Sequence, residues 1–157
     1  MVYPPHVLER ARWVLGGFDL DPASCPEANK QVQAERYFTR AQDGLAQDWY
    51  GRIWLNPPYG RGRANHRAFV ATLLREDHAG HVHAAILLVR SATSEQWFQP
   101  LWHFPICFVR GRVRFIAPDG MHPRSSNTQG TALVSIGNDP DRFAENFSDV
   151  GTVYVPR

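Results

Sequence analysis

The amino-acid sequence predicts an α/β protein: one sheet with helices on both faces. Three observations carry that expectation. Segments with helical spacing alternate with short apolar strands along the 157 residues. Ala84 to Val89 is an unbroken apolar run, as in a strand buried on both faces. Two strands end in a polar residue followed by proline, at Asp21-Pro22 and at Asn56-Pro57-Pro58.

The elements follow in order. Pro4 and Pro5 suit a helix start, and Val7, Leu8, Ala11, Val14 and Leu15 keep one helical face until Gly16-Gly17 ends it. A short strand, Phe18 to Leu20, runs into Asp21-Pro22, and Pro26 to about Glu35 reads as a second helix. Tyr37 to Trp49 is less regular, with a turn signal at Asp43-Gly44. Ile53 to Leu55 is a strand cut off by Asn56-Pro57-Pro58. From Ala64 to Asp77, Phe69, Val70, Leu73 and Leu74 lie on one helical face.

After the Ala84–Val89 strand, Thr93 or Ser94 would cap a helix carrying Trp97, Phe98 and Leu101. Further strands are expected at Ile106–Val109, Val113–Ile116, Thr131–Ile136 and Thr152–Val155, with a polar loop from Met121 to Gly130. No repeat, low-complexity block or domain boundary interrupts this order, so a single domain over 1–157 is expected.

Composition bounds the class. With 43% hydrophobic and 20% charged residues, the chain matches ordinary soluble globular proteins. No apolar run nears the roughly 20 residues that span a bilayer, and the start lacks the basic-then-apolar pattern of a signal peptide. Cys25 and Cys107 form no CxxC pair, which suggests a reducing compartment and so the cytoplasm. Net charge is only +2, yet Lys30 is the one lysine among 17 basic residues. Sixteen arginines reflect either genome composition or arginine's fit to phosphates and base edges. Two clusters stand out, Arg61, Arg63 and Arg67, then Arg110, Arg112 and Arg114.

In open α/β sheets, ligands bind beyond the carboxyl ends of the strands, which is where both polar-proline signals fall. Asn56-Pro57-Pro58-Tyr59 is either a turn or a reactive site. Proline fixes its own φ and pushes the residue before it toward extended backbone, so this stretch is stiff. It would present the Asn56 side-chain oxygen, the Pro57 carbonyl and the aromatic face of Tyr59. Those groups suit a planar exocyclic amine. Two acceptors on its two N–H bonds would draw the nitrogen toward sp³ and free its lone pair, while Tyr59 stacks on the base.

Asn56-Pro57-Pro58-Tyr59 resembles the [DNS]PP[YFW] motif of S-adenosylmethionine-dependent amino-methyltransferases. The longer stretch "FDLDPASCPEANKQVQAERYFTRAQDGLAQDWYGRIWLNPPYG", with the later "WFQPLW" and "GRVRF", is similar to the phage-type, Dam-like DNA N6-adenine methyltransferase family. The likeness covers roughly residues 3 to 136. It implies a Rossmann-like methyltransferase fold, S-adenosylmethionine as cofactor, adenine N6 in double-stranded DNA as target, and work in the cytoplasm of a bacterial or phage-infected cell. It also implies roles residue by residue. Asp21, Pro22, Ala23 and Ser24 would form the cofactor loop, Tyr3 and Pro4 would match the preceding Thr-Pro element, and Asp43 would lie near the cofactor's adenine. Asn56 to Tyr59 would be the catalytic loop.

One departure stands out: "DPASCPEAN" holds none of the glycines usual in such cofactor loops. Asp21 would then follow either the first strand, by the methionine part, or the second, by the ribose. Asp21-Pro22 on its own is also a common turn signal.

An adenine in a duplex must be flipped out to reach such a pocket. Arg61, Arg63, His66 and Arg67 would hold flanking phosphates, or form a solvated helix start. Arg110, Arg112 and Arg114 would share one face of a strand, as a DNA-facing stripe or a plain exposed face. Trp97 and Phe98 are core or the wall of a base pocket, and Ser125-Ser126-Asn127 would be a recognition loop. No large target-recognition domain is inserted. Asp77, His78, His81 and His83 match no zinc spacing, so no metal is expected. Rival readings are another planar amine (cytosine N4, RNA adenine or a protein glutamine), or a DNA- or nucleotide-binding module without turnover.

Overall fold

The computed structural model of the chain describes residues 4–58, 62, 65–113 and 130–157. The expectations for Tyr3, Tyr59, Arg61, Arg63 and Arg114, for the Ser125-Ser126-Asn127 loop and for most of the Val113–Ile116 strand and the Met121–Gly130 loop lie outside those residues.

Helix α1 spans Pro5–Leu15, opened by its proline and closed by Gly16 at φ 81°, a left-handed conformation that glycine adopts without steric cost. Strand β1 is short, Leu20–Asp21. Helix α2, Pro26–Val32, stops earlier than expected because Gln33 turns left-handed at φ 58°. Strand β2, Arg36–Tyr37, was not anticipated. Two 3-10 turns follow, Arg40–Gln42 and Gly44–Ala46. Then come β3, Gly51–Leu55, and α3, His66–His78. Beyond β4, Val82–Arg90, the expected helix around Trp97 is only a 3-10 turn at Gln99–His103. Strands β5, Ile106–Val109, and β6, Thr131–Ile136, match expectation. Helix α4, Pro140–Phe147, was not anticipated, and β7, Gly151–Tyr154, closes the chain.

Among the described residues these strands make one seven-stranded sheet in the order β2-β1-β3-β4-β6-β5-β7. β2, β1, β3 and β4 run parallel, and β6 lies antiparallel to both β4 and β5. β5 therefore points the same way as β4, while β7 is antiparallel to β5. The sheet is mixed α/β, with one core on each face. Val7, Leu8 and Ala11 of α1 and Phe143 and Phe147 of α4 pack with Trp54, Ile86, Leu88 and Leu133. Phe69, Val70 and Leu73 of α3 pack on the opposite face with Ile53, Leu55, Leu87 and Phe98. β4 faces both clusters, which explains its unbroken apolar run. Each fully buried phenylalanine here contributes roughly 1.5–3 kcal/mol. No helix among the described residues is long and apolar enough to cross a membrane.

β1 is tied to β3 at its amino end by a side-chain clamp. Arg52 donates Nε to Asp19 Oδ2 at 3.0 Å and Nη2 to Asp19 Oδ1 at 3.0 Å, while its backbone N–H reaches Oδ2 at 2.8 Å. Its Nη1 also reaches the Gly16 carbonyl at 2.7 Å, tying in the end of α1. The guanidinium holds the Asp19 carboxyl below its usual pKa.

Candidate active site

From β1 the chain moves outward to β2, then returns to place β3 on the other flank of β1, with β4 beyond it. The winding reverses between β1 and β3. Ligands of open α/β sheets bind outside the carboxyl ends at such a point, and Asp21-Pro22 and Asn56-Pro57 both lie at those ends.

Strand alternation sets which way the side chains face. Leu20, Ile53 and Leu55 join the α3-side core, so Asp21, Trp54 and Asn56 face the α1/α4 side. Trp54 lies in that core. Leu20 pairs with Ile53. Continuing that register sets Asp21 level with Trp54, one residue past which lies Leu55 and then Asn56. Both polar side chains are deeply buried, Asp21 at 1% and Asn56 at 5% exposure.

The glycine-free loop is shaped by its own carboxylate. Asp21 Oδ1 accepts the Ala23 N–H at 3.2 Å, forming an Asx turn. The loop then adds to the β1–β2 pairing, with Phe38 N–H on the Asp21 carbonyl at 3.0 Å and Ser24 N–H on the Phe38 carbonyl at 2.9 Å. Cys25 caps α2 through the Ala28 N–H. Asp21 Oδ2 has no hydrogen-bond partner among the described residues. Burial pushes this carboxyl up to about 7, opposed by the Ala23 and Ser24 hydrogen bonds.

Asp43 is brought to the same loop by its neighbour. A β-carbon on Gly44 would lie 2.0 Å from the Pro22 carbonyl oxygen, so only glycine permits this approach. Asp43 Oδ1 accepts the Leu45 N–H at 3.2 Å, holding the turn. Trp49, buried against Phe69, donates its indole N–H to the Gly44 carbonyl at 2.7 Å. The Asp-Gly-Leu-x-x-x-Trp pattern thus fastens the Asp43 turn beneath Pro22. Beside it, a depression of about 630 Å³ at the end of β2 is lined by Arg36, Tyr37, Phe38, Thr39 and Gln42, with Glu35. Sequence reasoning gave these residues no site role, although Tyr37-Phe38-Thr39 was among the motifs carrying the resemblance.

The catalytic-loop candidates Asn56 and Pro57 are buried, and Pro58 is half-buried. His66 does not lie where the sequence suggested. At 2% exposure it cannot reach solvent-side phosphates. It opens α3 on the buried side, with Nδ1 3.0 Å from the Pro58 carbonyl. Burial draws its pKa down to about 4, aided by Arg90 and opposed by the Pro58 hydrogen bond and Glu95. Arg67, the next residue, is exposed. Trp97 stands edge-on to His66, with ring centroids 5.3 Å apart, and Phe98 is fully buried.

Arg110 and Arg112 are exposed, but they do not share a strand face. β5 ends at Val109, and the chain bends at Gly111 with φ 73°. Both arginines line a cavity of about 520 Å³ with Pro4, His6, Arg10 and Asp149. It opens at the carboxyl end of β5, so Pro4 lies with the arginines and not at the Asp21 loop. Arg10 is paired with Asp149. Among the described residues no group of His, Cys, Asp and Glu is placed to hold a metal. His81 pairs instead with Glu76, 2.7 Å apart at the surface.

The described residues make a mixed α/β protein in which a buried acid and a buried amide stand at the carboxyl ends of β1 and β3, where the winding reverses. A family model, DNA N-6-adenine-methyltransferase (Dam), matches residues 3–144. The chain belongs to that family. A comparison with curated proteins finds no match, so the family model carries the assignment.

Proposed function

We propose that the protein transfers a methyl group from S-adenosylmethionine to the N6 amine of adenine in double-stranded DNA. Its single domain over 1–157 would have a Rossmann-like methyltransferase architecture and would work in the cytoplasm of a bacterial or phage-infected cell. The observation that supports this most is a juxtaposition at the winding reversal: Asp21 ends β1 and Asn56 follows the adjacent β3, and both are buried.

The Asp21 loop fits the cofactor. Its orphaned Oδ2 is a buried acceptor suited to a hydroxyl or ammonium donor, both of which S-adenosylmethionine carries. Pro22, Ala23 and Ser24 shape the rim, and the Asp43 turn supports it from below. When bound, the cofactor supplies an electrophilic methyl on a sulfonium. Asn56 Oδ1 and the Pro57 carbonyl accept the two N–H bonds of the flipped adenine, aiming the nitrogen lone pair at that methyl. Most of the rate arises from this orientation and from fixed dipoles in a dry site. Tyr59 stacks on the base, while Pro58 stiffens the loop. Arg61, Arg63, Arg67 and Arg112 neutralise phosphates of the duplex.

Labelled S-adenosylmethionine, offered with DNA, RNA and protein acceptors side by side, tests the reading. Nucleoside analysis should find label in N6-methyladenine from DNA. Label in cytosine, RNA or protein, or in no acceptor at all, would overturn it.

A further inference from the structure

The β3–β4 ladder runs to Leu55 opposite Leu87. Three residues further along, the same register sets Pro58 level with Arg90. Pro57 and Pro58 have no N–H to donate to β4, and the paired strand ends at Leu55. His66 stands in that gap. Its Nε2 lies 3.4 Å from the Arg90 backbone N and its Nδ1 lies 3.0 Å from the Pro58 carbonyl oxygen. A backbone N–H can only donate, so Nε2 carries the lone pair. The proton is then on Nδ1, facing a carbonyl that can only accept.

The ring is held from both sides. It belongs to the first residue of α3, whose start is capped by Asn65, with Oδ1 accepting the Ala68 N–H at 3.0 Å. Asn65 also donates Nδ2 to the Gly62 carbonyl at 2.6 Å. On the other side stands Trp97, edge-on. The depressed pKa keeps the imidazole neutral at physiological pH, as the bridge requires.

Pinning the Pro58 carbonyl has a defined effect upstream. Pro58 φ is locked by its ring, so fixing its carbonyl sets the remaining torsion between that carbonyl and the Pro57 peptide plane. We infer that His66 is a positioning residue for the Asn-Pro-Pro loop: its neutral imidazole bridges the Arg90 N–H and the Pro58 carbonyl where direct β3–β4 pairing has ended, and so fixes the Pro57 carbonyl and the Asn56 amide. The consequence for turnover rests on the proposed role of those two groups as amine acceptors.

Two measurements on the unmodified protein test the bridge directly. Long-range nitrogen–proton NMR should find His66 protonated on Nδ1 alone, and the Arg90 amide should exchange slowly. An Nε2-protonated ring or a rapidly exchanging Arg90 amide overturns the inference. Turnover of S-adenosylmethionine on plasmid DNA free of N6-methyladenine tests positioning. His66→Leu should lower the maximal rate by about 100-fold, the scale of a loop displaced by about an ångström. Its calorimetric affinity for S-adenosylmethionine should stay within about twofold, which also reports that the variant is folded. His66→Gln, whose amide carries a donor and an acceptor, should recover most of the rate and the Arg90 protection. A leucine variant as fast as the parent, or no gain from glutamine, overturns positioning. If the leucine variant does not fold, glutamine is compared with His66→Asn, which reaches Pro58 but not Arg90, and equal rates overturn the idea. A parent protein that methylates no adenine sinks the proposed reaction, while the tautomer and the Arg90 amide still judge the bridge.

Discussion

Gly44 meets the carbonyl of Pro22 so closely that a β-carbon would lie 2.0 Å from its oxygen. Gly44→Ala must therefore push the Asp43 turn away from the Asp21 loop. The expected cost is about 1–3 kcal/mol, the range for overpacking a fitted contact. Urea unfolding measures that loss. Calorimetry with S-adenosylmethionine should show weaker binding, and unchanged affinity would detach this turn from the cofactor.

Asn56→Ala should lower the methylation rate by at least about 100-fold, the scale of losing one oriented polar group at a reacting centre. Affinity for S-adenosylmethionine should hold within about twofold. Near-normal activity in this variant would remove Asn56 from the chemistry. Trp54, its neighbour two residues back, is core, so the alanine variant keeps the strand's packing.

Asp21 and His66 pull pH stability in opposite directions. Unfolding raises the His66 pKa from about 4 to 6.5, so in that window the unfolded chain binds the extra proton and stability falls as pH falls. Unfolding lowers the Asp21 pKa from about 7 to 3.8, so there the folded chain holds the extra proton and stability falls as pH rises. Each slope is about 1.4 kcal/mol per pH unit, and between about pH 4 and 6.5 they oppose. Asp21→Asn keeps the Oδ1 acceptor and deletes one slope. Its unfolding free energy should drop on going from pH 6.5 to 5, by about 2 kcal/mol more than the parent's does. Parallel curves for the two proteins would contradict this. The same variant should bind S-adenosylmethionine more weakly at neutral pH.

The Asp19–Arg52 clamp predicts a purely structural effect. Arg52→Leu removes a two-pronged carboxylate contact and the bond to the Gly16 carbonyl. Both side chains are about a third exposed or less, so the expected loss is about 1–2 kcal/mol. The clamp lies at the amino ends of β1 and β3, and the two polar loops lie at their carboxyl ends. Calorimetric affinity for S-adenosylmethionine should therefore change little, and a large change would couple the two ends of these strands.

What could be read from the sequence divides along physical lines. Proline and glycine act on their own neighbourhood, so Asn56-Pro57-Pro58, the ends of α1 and the Asp43-Gly44 turn were legible. β4 was legible because six apolar residues in a row fit nothing else so well. β2 is two residues long, too short for any periodicity to register, whereas the equally short β1 was expected nearby, at Phe18–Leu20. α4 carries a signal of its own, Asp139-Pro140 followed by Phe143 and Phe147 at i, i+4. The Trp97 segment has helix-like spacing but forms only a 3-10 turn. The buried place of His66 was not legible because its partners lie 8 residues before it and 24 after it. No local rule links a histidine to the end of a strand pairing at that distance.

The longest unbroken pairing in the sheet joins β4 to β6, from Ala85 with Ile136 to Arg90 with Thr131. It welds a parallel half, which bears the two polar-proline loops, to an antiparallel half ending in β7. The connection from β5 to β6 starts and finishes on the antiparallel half, among the arginines. Such a division of labour lets that connection be rewritten in length and sequence while the acid and the amide at the winding reversal stay put. Under the proposed function, with that connection as the recognition loop, a lineage could change what it reads on DNA without relearning how to move a methyl group.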